Sequence, residues 1–438
     1  METKIFLKNV RIAQPDAADH GAVVDLYFEN GAFSSAGSAE GAEVWDGEGG
    51  ARAVSCGWWD GQTDFAEPGT EEREGLASGL EAAAAAGMTD VVQVPSTDPV
   101  IDSQADVAFL LGKAAAMPVP TQLHPLGMIS RGGHGEALSD MRELAAAGAV
   151  GFSEDRPVNS PELLRRALEY LRPGDRPVLA PANETALHPN ALMHEGLTST
   201  LMGLQGSPAE AETMRLRRDL DILAYTGGHL HIPVISSAES CRLIREARDA
   251  GLRVTCGTTA FHLMWTDEDL AGFESSRKVF PPYRSSADRS ALREAVWDGT
   301  IDCVVSDHRP WNREVHDVEF VLAPEGVASI EWTFPVLLAG LRAGRPNAAE
   351  SDVLNAAIRA LTTGPRQVFG RTEIGSGERF VDMLNNRPHL TWFDAGEAWT
   401  PLGKSRGANT PRCETPLTGC PLGIITGKGG LKLRLADR

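Results

Sequence analysis

Three stretches place acidic side chains directly after a short apolar run. Ala53-Val54-Ser55-Cys56 leads into Trp58-Trp59-Asp60-Gly61-Gln62-Thr63-Asp64-Phe65-Ala66-Glu67-Pro68-Gly69. Val150–Ser153 leads into Glu154-Asp155, and Asp302–Ser306 leads into Asp307-His308. A carboxylate at a strand end can move a proton for a reacting group. The bland alternative is a turn cap, a position where Asp is common. Histidine, a usual zinc donor, is poorly placed. His231 sits inside an apolar run, where a hydrogen-bonded core role is expected, and His188, His194 and His262 lie in loops without ligand spacing. None of the six cysteines forms a C-x-x-C pair, so a zinc knuckle or redox motif is absent. Cys56, Cys256 and Cys303 lie in strand-like runs, where a buried free thiol is the usual state.

The elements that must position these residues alternate. Ala53–Cys56 reads as a first strand, Trp58–Gly69 as its loop, and Glu71–Ala86 as an alanine-rich helix. Further strands are expected at Asp90–Val94, Thr121–Pro125, Val150–Ser153, Pro177–Ala180, Leu230–Ile235, Arg253–Thr258 and Asp302–Ser306. Amphipathic helical runs such as Pro161–Leu171, Ala209–Tyr225 and Ala287–Trp297 fall between them. Eight strands with intervening helices predict a (β/α)8 TIM-type barrel over residues 54–360, with the chemistry in the loops after the strands. An open doubly wound sheet is disfavoured, because no Gly-rich phosphate loop follows the first strand. Residues 1–53 and 361–438 read as short strands and turns, with no helix after about 362. They could pair into one small β-sandwich. Neither an internal repeat nor a low-complexity linker interrupts the chain.

Composition bounds the partners. A net charge of −19 over 438 residues disfavours nonspecific nucleic-acid binding, since phosphates attract basic surfaces. Seven of the 41 basic residues are lysine, a pattern that fits either a salt-rich cytoplasm or a codon bias toward arginine. Met1–Lys8 alternates like a strand and has no signal-peptide core, and no run is apolar enough to span a membrane. The expected location is the cytoplasm.

Several short motifs occur in a specific order. They are Glu67-Pro68-Gly69, Pro95-Ser96-Thr97-Asp98-Pro99, Gly151-Phe152-Ser153-Glu154-Asp155, Met193-His194-Glu195-Gly196, Leu230-His231-Ile232, Lys278-Val279-Phe280-Pro281-Pro282-Tyr283-Arg284, Ser306-Asp307-His308 and Ala408-Asn409-Thr410-Pro411. Together they resemble the dihydroorotases and their cyclic-amidohydrolase relatives, the hydantoinases and allantoinases. The Glu67–Gly69 and Phe280–Pro282 segments tilt the resemblance to dihydroorotase, an enzyme of pyrimidine biosynthesis. It implies a barrel with a β-sandwich built from both termini, and a zinc centre. Zinc activates water and polarises the amide carbonyl.

Set against the family's motifs, the site looks dismantled. The two first-strand histidine positions fall on Gln62 and Asp64, and the substrate-gripping arginine on Ala66. The fifth- and sixth-strand histidine positions fall on Pro181 and Val234, and neither side chain can ligate. The asparagine positions fall on Ser96 and Phe280, and a further histidine on Trp311. Glu154 takes the bridging carboxylate position, and Asp307 is the retained aspartate and the catalytic candidate. His308 and Ser96 remain as substrate contacts. Trp58, Trp59, Phe280 and Trp311 are expected to crowd the mouth. Three readings follow. The first is a catalytically silent homologue with a structural or regulatory role and no cofactor, partnering aspartate carbamoyltransferase or an active paralogue and forming a homo-oligomer. The second is an active cyclic-amide hydrolase whose Asp64, Glu154 and Asp307 hold zinc or one hard cation such as Mg²⁺ or Mn²⁺. The third is a small-molecule sensor.

Overall fold

The computed structural model describes residues 4–371, 376–427 and 432–435. The parts of the expected terminal segments at 1–3, 372–375, 428–431 and 436–438 lie outside the described residues. Eight parallel strands form a closed barrel: β1 (Trp58–Thr63), β2 (Met88–Gln93), β3 (Gln122–Pro125, continued by Gly127–Met128), β4 (Phe152–Ser153), β5 (Val178–Leu179), β6 (Leu230–Ile232), β7 (Val254–Thr259) and β8 (Cys303–Val305). Neighbours pair in chain order, from Asp90 opposite Gln122 through Phe152 opposite Val178 to Gly257 opposite Cys303. The seam closes just past β8, where Thr63 bridges His308 and the Asp64 amide donates to the His308 carbonyl at 2.8 Å. Inside this seam Asp60 accepts from the Ser306 amide at 3.0 Å, and burial pushes its carboxyl up to about 6.

The helices start where local chemistry satisfies their free amides. Gln104–Ala115 begins at Ser103, whose hydroxyl accepts from the Asp106 amide while Asp106 accepts in return. Pro161–Leu171 starts with proline at its first position behind a Ser160 cap. The barrel interior is filled by Trp59, Val92, Leu126, Val150, Leu179, Val234, Cys303, Val305, Val368 and Phe369, which make one buried cluster. The barrel is therefore a packed core, open only at the strand ends.

Strands from both ends of the chain join in one eight-stranded sheet. Its order is Lys432–Arg434, Thr418–Thr426, His389–Ala398, Ala53–Cys56, Lys4–Ile12, Val23–Glu29 and Ala32–Ser34, with Glu43–Asp46 also paired to Lys4–Ile12. The branch lets Trp45 stack on Trp392 across the β-rich domain at 5.0 Å.

Three expectations change. Ala53–Cys56 is a strand of the terminal sheet, and Trp58–Thr63, expected as a loop, is the first barrel strand. Gly57 makes the switch possible: a Cβ there would lie 2.1 Å from the Thr89 hydroxyl, so only glycine lets the chain pass. Trp58 and Trp59 consequently leave the mouth. Alternation along β1 sends Trp58 outward against Phe334 and Phe393 and Trp59 inward against His124. Finally, helices continue past 362, at Thr363–Val368 and Phe380–Asn386. The second is tied to the sheet edge by Asn385, which exchanges two hydrogen bonds with the backbone of Phe33.

Candidate functional site

A cavity of about 230 Å³ opens at the C-terminal ends of the strands. Gln62, Pro181, Val234, Phe280, Asp307 and Arg309 all line it. Gln62 is delivered by β1, Pro181 and Val234 follow β5 and β6, and Asp307 follows β8.

The floor is held by one guanidinium. Arg309 reaches across the mouth and donates through both terminal nitrogens to Asp155, at 2.9 and 2.6 Å. Its Nε donates to Asp307 Oδ1 at 2.9 Å, an atom that also accepts from Gln62 Nε2 at 2.6 Å. Ser96 Oγ donates to Asp155 Oδ2 at 2.5 Å. Asp155 and Asp307 both have left-handed backbones, with φ of 53° and 46°. Asp adopts this conformation more readily than most residues, because its short side chain bonds locally. Burial opposes the charge of Arg309, but Asp155 and Asp307 outweigh it and raise its pKa well above the usual guanidinium value.

The carboxylates expected to act as one donor set are separated. Glu154 turns away, accepting from the Ser130 amide at 2.7 Å and the Ser130 hydroxyl at 3.0 Å. Burial raises its pKa. Asp64 accepts from the Ala66 amide at 2.8 Å and pairs with Arg73 at 2.9 Å. Arg73 in turn lies over the Trp311 ring, 3.9 Å from its centroid. Asp64, Glu154 and Asp307 thus do not face one ion. Among the described residues no three His, Cys, Asp or Glu side chains form a group that could hold a metal. The residues present do not fit the zinc centre that the resemblance implies. Pro181 and Val234 offer no donor, and the Asp307 oxygen turned toward Gln62 also accepts from a guanidinium.

The two expected substrate contacts are placed apart, and burial corrects His308 alone. His308 is fully buried, and its Nδ1 accepts from the Ser329 and Ile330 amides at 3.1 and 3.3 Å. The ring proton therefore sits on Nε2, which faces Glu74 at 3.5 Å. Ser96 is exposed, with its hydroxyl donated to Asp155.

Other motifs serve the scaffold. Asn409, fully buried, donates to the carbonyls of Arg309 and Gly326 and accepts from the Trp311 amide, buckling the loop after β8. Arg284 donates to the Ser207 carbonyl and the Ser236 hydroxyl, while Glu212 collects the amides of Ser236 and Ser237. These contacts fix the loops after β5, β6 and β7. Sequence reading missed Arg309 and Arg73 as side chains that organise the mouth, and placed Asp155 only beside Glu154 as a strand-end carboxylate. The one available signal was a basic residue directly after Asp307-His308.

A family model described as "Dihydro-orotase-like" matches residues 53–240. A protein named dihydroorotase from Pelotomaculum thermopropionicum is 36% identical over 431 residues, covering 97% of each chain. Another of that name, from Anaeromyxobacter dehalogenans, is 38% identical over 384 residues, 86% of each chain. Among solved structures, an L-hydantoinase (dihydropyrimidinase) from Arthrobacter aurescens superposes with a TM-score of 0.77 at 19% identity, covering 98% of this chain and 95% of that one. A dihydropyrimidinase from Brevibacillus agri gives 0.75 at 20% identity, covering 99% and 95%. At such identities these last two speak for the shared fold alone.

Proposed function

The chain belongs to the dihydroorotase-like cyclic amidohydrolases, and from that premise we propose that it is a catalytically silent member with a structural or regulatory role. One observation carries this reading. The cavity at the strand ends is lined by Gln62, Pro181 and Val234, so the place for the reaction has no imidazole to hold a water-activating metal, and its Asp155 and Asp307 carboxylates are engaged by Arg309. Hydrolysis of a cyclic amide needs such activation, together with a grip on the substrate. Ala66 and Phe280 supply no ionic grip.

The retained role is contact with another protein, aspartate carbamoyltransferase or an active paralogue, within an assembly of several copies. Solvent-facing apolar side chains beside the loops support it: Leu197 and Leu201 are 75% and 78% exposed, and Leu322 is 71% exposed. The acidic charge argues against nucleic acid. No helix among the described residues is long and apolar enough to cross a membrane. The proposed setting is the cytoplasm.

A second reading keeps one observation in its favour. Three carboxylates, Asp155, Asp307 and Glu325, line the cavity, and oxygen donors suit a single Mg²⁺ or Mn²⁺. Turnover separates the two readings. The purified chain is expected not to interconvert carbamoyl aspartate and dihydroorotate, nor to open hydantoin or allantoin, above the protein-free rate, with or without added Zn²⁺ or Mn²⁺. Robust turnover that Asp307→Ala abolishes would overturn the silent reading.

A further inference from the structure

We propose that Arg309 is a built-in cation that replaces the family's metal as the counter-charge and cross-brace of the barrel mouth. The side chain leaves the loop after β8 and ends between carboxylates from two sides of the barrel. Asp155 follows β4 and Asp307 follows β8. Through them it also engages Gln62 on β1 and Ser96 after β2. One guanidinium therefore links the ends of four strands, as a metal held by several loops does.

The chemistry of the side chain fits this task. A planar fork donates two parallel bonds to Asp155 and keeps Nε free for Asp307, a pattern that a lysine ammonium cannot reproduce. The backbone is shaped around it. The Arg309 amide donates to the Val327 carbonyl at 2.9 Å, and its carbonyl accepts from buried Asn409 at 2.9 Å. Gly326, at φ +126°, lies so close that a Cβ there would sit 2.7 Å from the Arg309 Cβ. Residue 309 thus requires glycine at 326, and its backbone is held by contacts that do not involve the guanidinium. Without it, Asp155 and Asp307 would share the mouth with no cation between them, which is the arrangement that calls for a metal.

The inference concerns charge and stability, so its test reads neither turnover nor substrate and stands apart from the silent reading. Thermal melts are compared for the wild-type chain, Arg309→Met, Arg309→Lys, and Arg309→Met combined with D155N and D307N, each with and without millimolar MnCl2. Removing one partner of a part-buried pair strands the other charges, so R309M is expected to melt about 5 °C below wild type. R309K should fall between the two. Neutralising both aspartates should return most of the loss, and Mn²⁺ should raise the melting point of R309M while leaving wild type unchanged. A wild-type melting point in R309M would overturn the proposal. So would a triple variant no more stable than R309M, or one that stays insoluble where R309M fails to fold. A Mn²⁺-dependent rise in the melting point of wild type would overturn it too, by showing that a metal still holds the mouth.

Discussion

Glu74→Gln should uncouple the loop after β8 from the C-terminal segment, and the loss should depend on pH. The Glu74 side chain is fully buried. It faces His308 Nε2 at 3.5 Å and accepts from the Ser405 hydroxyl at 2.5 Å, the Arg406 amide at 3.1 Å and the Ser78 hydroxyl. Burial opposes its charge, but His308 and the two hydroxyls outweigh burial and bring it down from 4.5 to about 2. A depression of that size corresponds to about 3 kcal/mol of folded-state stabilisation. The sign follows from the direction of the shift. A lowered carboxylate stabilises fully above the unfolded value, near 4.5, and the contribution fades as pH falls toward 2. At pH 3 roughly half should remain. Urea unfolding at several pH values between neutrality and 3 provides the assay. E74Q should lose about 3 kcal/mol at neutral pH and markedly less at pH 3, so the two stability profiles converge in acid. Parallel profiles would refute the assignment, because they would mean that the proton affinity of Glu74 does not differ between folded and unfolded chains.

Two more predictions address packing and metal. Trp58→Ala removes a fully buried ring that packs at a tilt against Phe334, centroids 4.4 Å apart, and donates to Ser55 at 2.8 Å; it should cost about 3–5 kcal/mol by urea unfolding, and a loss near zero would contradict its place between barrel and sheet. Restoring Gln62→His, Asp64→His, Pro181→His and Val234→His together leaves Arg309 in the mouth, so elemental analysis should find less than one equivalent of tightly held zinc, and two equivalents would contradict the blocking role of the guanidinium.

Much of this was legible in the sequence, for physical reasons that also mark where legibility ended. The barrel could be read because parallel strands buried on both faces give short apolar runs. Gln62, Pro181, Val234 and Asp307 could be assigned to one place because each stands at or just past a strand end, and strand ends converge in a closed barrel. The first strand was misread because β1 carries Asp60 and Gln62 in a fully buried hexapeptide, and polar residues inside a strand look like a loop. Asp64 and Glu154 were grouped with Asp307 by motif position. Motif position does not reveal that each finds a nearer partner, in Arg73 and in Ser130.

Arg309 escaped for a deeper reason. Counting lost ligands treats each position as independent, whereas a buried site must balance charge as a whole. When imidazoles and metal are removed together, neutral residues such as Pro181 and Val234 need no compensation, but carboxylates that remain at the mouth do. Asp155 and Asp307 both stand at this mouth, and Arg309 is the cation that bonds both. Its sequence position was free to be any loop residue with a long enough side chain. The charge-balancing residue therefore stands outside the positions that the family motifs mark, and the pairing of the loops after β4 and β8 in three dimensions identifies it.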